Sequence, residues 1–134
     1  MVHPFTLAAT LTTATAALGA CTQSAEMTDG RGQPEYGGIQ TILLDDGLVS
    51  FNVAMTGATG RADVEAYGRC AAAQYALDKE YGFARQVRTI VKKDGRTWYG
   101  DAVYMISATL PEGLRTIDAE VTVAECAELG IPTV

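Results

Sequence analysis

Histidine is almost missing: the 134 residues contain one, His3, and it stands in the N-terminal leader. Without imidazole further along, a Ser-His-Asp triad, a Cys-His pair and any zinc site that uses histidine are excluded downstream of that leader. Bases are scarce as well, with ten Lys and Arg against sixteen Asp and Glu, a formal charge of −6 and an isoelectric point near 4.6. A nucleic-acid binder needs a basic stripe that displaces counterions from phosphates, and the sequence has none. It also lacks a CxxC pair, a P-loop and a dinucleotide fingerprint, and neither Ser50 nor Ser107 is followed by Lys at the Ser-x-x-Lys spacing of serine hydrolases. Asp45 and Asp46 form an acidic pair, but no further oxygen ligands follow at calcium-loop spacing, so they read as turn residues. No catalytic residue, metal ligand or cofactor site is assigned, and the chain is expected to be non-enzymatic.

What is present begins with an uncharged run. From Phe5 to Ala20 the residues are Ala-, Leu- and Thr-rich, too short for a comfortable bilayer span and suited to the apolar region of a signal peptide. The run ends in Leu18-Gly19-Ala20-Cys21, which resembles the lipobox of bacterial lipoproteins. That resemblance implies cleavage before Cys21, a lipidated sulfur and an acylated new N-terminus. One departure is that "MVHPF" lacks the usual Lys or Arg and offers only His3. A plain secretory signal cut near Ala20, or an apolar helix of the domain, are the alternatives. Two or more acyl chains hold a protein durably on a membrane, so an acylated Cys21 would tether this chain without a spanning helix. Thr22 and Gln23 follow the cysteine, where lipoproteins retained in the inner membrane often carry Asp; the resemblance therefore implies the outer membrane, facing the periplasm.

With Cys21 assigned to lipid, Cys70 and Cys126 remain as an even pair in an oxidising compartment. A bridge between them would stabilise by roughly 3 to 4 kcal/mol on the chain-entropy estimate. The alternative is two buried free thiols.

The expected layout is a signal peptide at 1–20, a lipidated N-terminus and flexible linker at 21–38, and one globular domain at 39–134. The stretch "TQSAEMTDGRGQPEYGG" is polar, Gly-rich and without periodicity, with a reach of roughly 20 to 25 Å. "IQTILL" and "LVSFNVAMT" flank Asp45-Asp46-Gly47 and predict a hairpin, with Val49, Phe51, Val53 and Met55 on its core face. "RADVEAYGRCAAAQYALDKEYG" predicts a long helix whose stripe holds Tyr67, Cys70, Ala71, Gln74, Leu77 and Tyr81, stopped by Gly82. A second hairpin turns at Asp94-Gly95, "TIDAEVTV" alternates like a strand, and "AECAEL" predicts a short last helix capped by Gly130. The fold class is therefore α+β: an antiparallel sheet of about five short strands in the order β-β-α-β-β-β, one long helix packed on one face, and a short C-terminal helix.

Six of the ten bases, Lys79, Arg85, Arg88, Lys92, Lys93 and Arg96, gather around the second hairpin, with Trp98 and Tyr99 beyond its turn. Arg88, Lys92, Lys93, Arg96, Trp98 and Tyr99 are the candidate partner contacts, for an envelope protein or anionic lipid headgroups. The opposing explanation is that these bases only guard strand edges against aggregation. The Ala-rich helix followed by "YGFARQV" resembles small proteobacterial envelope lipoproteins over residues 48–92, a likeness that carries no catalytic residue. Two functions follow: a membrane-anchored, periplasm-facing interaction or structural module, or a carrier of a small ligand or lipid in a cavity between helix and sheet.

Overall fold

The computed structural model describes residues 33–133, so the leader, Cys21 and the linker up to position 32 lie outside the described residues. Among the described residues, five antiparallel strands and two α-helices make an α+β fold. The strands are β1 (Glu35–Leu43), β2 (Leu48–Thr56), β3 (Phe83–Asp94), β4 (Thr97–Ser107) and β5 (Thr116–Asp118), in the spatial order β1-β2-β4-β3-β5. Helix α1 (Arg61–Asp78) joins β2 to β3, and α2 (Ala119–Leu129) follows β5 directly.

Both hairpins form where turn chemistry places them. Asp46 and Gly47 take left-handed φ values of 62° and 75°, so the acidic pair serves the β1–β2 turn. Gly95 and Arg96 form the two-residue turn of the β3–β4 hairpin, and Asp94 is already in the ladder opposite Thr97. β1 begins at Glu35, four residues before the Ile39 expected from the Gly-rich composition. A bulge between Tyr36 and Gly38 absorbs the irregularity, and the Gly38 N–H donates to the Tyr67 hydroxyl at 3.2 Å.

α1 is built for close approach. Its buried residues are Val64, Tyr67, Gly68, Cys70, Ala71, Ala72, Ala73 and Ala76, mostly small, and they meet Phe51, Ala84, Ala102 and Tyr104 in one cluster and Val53 and Met55 in another. A Cβ on Gly68 would lie 2.8 Å from the Ala102 Cβ, so at this position the helix rests almost directly on β4. Edge-to-face contacts of Phe51 with Tyr75 and Tyr104 fill the space beside it.

The helix stops earlier than Gly82. Tyr81 N–H donates to Ala76 and Glu80 N–H to Leu77, the paired bonds of a Schellman cap, and the left-handed residue at its centre is Glu80, φ 65°.

The stretch "TIDAEVTV" is strand only at Thr116–Asp118; from Ala119 it is helix. The Asp118 carboxylate accepts from Val121 N–H and starts α2, and the inward residues Ala119, Thr122 and Cys126 recur at three and four, a helical spacing, while the apolar residues Ile117, Ala119, Val121 and Val123 also alternate. Gly130, φ 68°, ends α2 with the same pair of cap bonds, from Ile131 to Cys126 and from Gly130 to Ala127. Cys70 and Cys126, both fully buried, form a disulfide that fastens α2 to α1.

Candidate functional site

Side chains alternate across a strand, so the cross-strand register decides which residues share a face. Trp98, Gly100, Ala102, Tyr104 and Ile106 of β4 point to the helix side; Tyr99, Asp101 and Val103 point away from it, on the open face. Three rows run across that face. Lys92, Tyr99, Ala54 and Gly38 form the first, Ile90, Asp101, Asn52 and Gln40 the second, and Arg88, Val103, Ser50 and Ile42 the third.

Alternation divides the basic cluster. Arg88, Lys92 and Tyr99 share the open face. Lys93 and Trp98, opposite each other in the ladder, turn to the helix side, where the Lys93 ammonium stands 5.0 Å from the Trp98 ring centre. Trp98 also packs against the Val53, Met55, Val64 and Tyr67 cluster, so much of its surface serves the core. Arg96 sits at the turn tip. Lys79 lies just past the end of α1, 5.6 Å from the Tyr75 ring centre, and Arg85 is on the open side opposite Met105.

At the centre of the open face is a polar trio. The Ser50 hydroxyl donates to one oxygen of Asp101 at 2.6 Å, and the Arg88 guanidinium donates to the other at 3.0 Å. Arg88 is thereby neutralised, while Lys92 makes no ion pair among the described residues. Tyr99, 47% exposed, stands between two depressions of about 310 and 390 Å³: one lined by Asn52, Ile90, Lys92 and Asp101, the other by Gly38, Gln40 and Ala54. The second is open because its row carries Gly38 and Ala54 where larger side chains would fill it. Chemically, the face offers the Lys92 ammonium, without an ion pair among the described residues, an exposed phenol and exposed Ile90 on a hydrogen-bonded support. The β2–β4 register, which no local sequence pattern encodes, is what brings Ser50, Asn52 and Asp101 together.

Among the described residues, no cluster of three or more His, Cys, Asp or Glu is placed to hold a metal ion, and no helix is long and apolar enough to cross a membrane.

Fold and face together define a small, disulfide-fastened α+β domain with α1 on one sheet face and no helix on the other among the described residues. Residues 36–130 match the YNQ4 C-terminal domain model, and the chain belongs to that family. Among curated proteins it is similar to the "Uncharacterized 26.9 kDa protein in nqo8 5′ region" of Paracoccus denitrificans, with 33% identity over 88 residues, 65% of this chain and 34% of that protein. The chain thus spans about a third of that relative's length. No solved structure matches it.

Proposed function

We propose that the chain is a non-enzymatic binding module of the cell envelope, anchored by lipid at Cys21 and facing the periplasm from the outer membrane, which holds an acidic segment of an envelope protein on its open sheet face. The observation that carries this reading is the Lys92–Tyr99–Ala54–Gly38 row, an ammonium with no ion pair among the described residues and an exposed phenol beside a shallow, small-residue floor. The Leu18-Gly19-Ala20-Cys21 motif supports the anchor.

A lipid carrier needs a sizeable apolar cavity between α1 and the sheet. The contact of Gly68 with Ala102 and the filling by Phe51, Tyr75 and Tyr104 favour the module instead.

The test is site-specific photo-crosslinking from position 99 in the intact cell. One envelope protein should be captured, capture should be lost with Lys92→Glu, and it should persist with Lys93→Glu on the other side of the sheet. Equal capture in both charge variants would remove the open face from the function. Lipid co-purifying with the Cys21→Ser form would favour the carrier.

A further inference from the structure

On the helix side, away from the open face, α1 and β3 leave a cleft of about 290 Å³ lined by Ala62, Glu65, Ala66, Arg69, Gln86 and Tyr104. Positions 62, 65, 66 and 69 share one stripe of α1, and Gln86 and Tyr104 are opposite each other in the ladder, so two rigid elements build its walls. Arg69 lines this cleft, and its buried Nε has no hydrogen-bond partner among the described residues, so an acceptor for that donor is missing. Tyr104, 1% exposed, shares the cleft, and Arg69, Glu65 and Arg115 all lie within electrostatic reach of its phenol.

The charges favour an anion. Glu65 is already engaged by Arg61 at 2.9 Å, and neither Arg69 nor Arg115 makes an ion pair among the described residues. Gln86 donates its amide N–H to Thr89 at 2.7 Å, so its free oxygen can receive a donor from the same ligand. Drug-sized ligands occupy roughly 300–1,000 Å³. At about 290 Å³ this cleft lies at the lower edge of that range, and its polar lining of Glu65, Arg69, Gln86 and Tyr104 suits a small polar molecule rather than an acyl chain.

We propose that this cleft is a binding site for a small carboxylate, gripped by the Arg69 guanidinium and the Tyr104 hydroxyl. Entry requires the guanidinium to turn so that Nε–H and an Nη–H face the ligand as a fork, the geometry that suits a carboxylate. The site stands independently of the open-face reading.

The experiment titrates the full-length protein with acetate, N-acetylglycine and inorganic phosphate, reading affinity by calorimetry and the Arg69 Nε–H signal by NMR. Both carboxylates should shift that signal. Arg69→Gln and Tyr104→Phe, the second of which keeps the packed ring, should each weaken N-acetylglycine binding about tenfold or more. Arg88→Gln, on the open face, should leave it unchanged. Absence of any shift, equal affinity in Arg69→Gln, or phosphate binding as tightly as the carboxylates would each overturn the assignment.

Discussion

Tyr104 links packing to pH. Burial pushes its phenol up to about 12, with Arg69 opposing and Glu65 adding to the shift. Tyr36 and Tyr67 move in the same direction, again mainly through burial. The folded state thus keeps the neutral phenol while the unfolded chain ionises near 10, so this stability is intact below pH 10 and is lost as pH rises through about 12. At its limit the loss from Tyr104 is about 2–3 kcal/mol. Urea unfolding at pH 8 and pH 11 should therefore show a marked alkaline weakening in the native protein and a smaller one in Tyr104→Phe. Identical pH dependence in the two would mean that the phenol is not responsible.

At the scale of elements, the two helix ends make a natural comparison. Both use the same pair of cap bonds, but α2 places Gly130 in the left-handed position while α1 places Glu80 there. A side chain at positive φ is strained and glycine is not, so Glu80→Gly should raise stability by about 0.5–1 kcal/mol, seen as a higher melting temperature. A lower one would mean that the Glu80 side chain compensates for its backbone.

The α1–α2 disulfide sets a larger scale. Removing it as Cys70→Ala with Cys126→Ala frees a loop of sequence separation 56, and the chain-entropy estimate gives a loss of roughly 4 kcal/mol. Amide exchange should then show α2 losing protection before the sheet does. Uniform loss of protection would show α2 to be an integral part of the same cooperative unit.

These elements also show what could be read in the residues. Asp46-Gly47 and Gly95 announced the hairpins, and the Ala-rich stripe with Tyr67 and Cys70 announced α1, because each signal is local. Start and stop points were harder. Glu80 occupies a position that favours glycine, and Ala119, Thr122 and Cys126 satisfy a helix while their neighbours mimic a strand. Strand period alone was sufficient to separate Trp98 from Tyr99, since adjacent strand residues face opposite sides. Asp101 and Ser50 meet across a separation of 51 residues, and no local pattern encodes such a register.

Across the whole molecule, charge is distributed unevenly. α2 carries Glu120, Glu125 and Glu128 and no base, while the open side of β3 carries Arg85, Arg88 and Lys92. An acidic partner approaching this domain meets net repulsion from the molecule and attraction where bases gather on the open side of β3, which biases its orientation on encounter. Association with the partner captured at position 99 should then slow as salt is added, because screening at physiological ionic strength acts beyond about 8 Å. Lys92→Glu should lower the association rate about tenfold at low salt and flatten its salt dependence. Glu125→Lys on the far side removes repulsion without touching the binding face, and should raise the rate modestly while leaving dissociation unchanged. Stopped-flow measurements on both variants separate steering from contact. If Lys92→Glu altered only dissociation, the ammonium would act within the docked complex, and the uneven charge of the domain would have no part in bringing the partner to it.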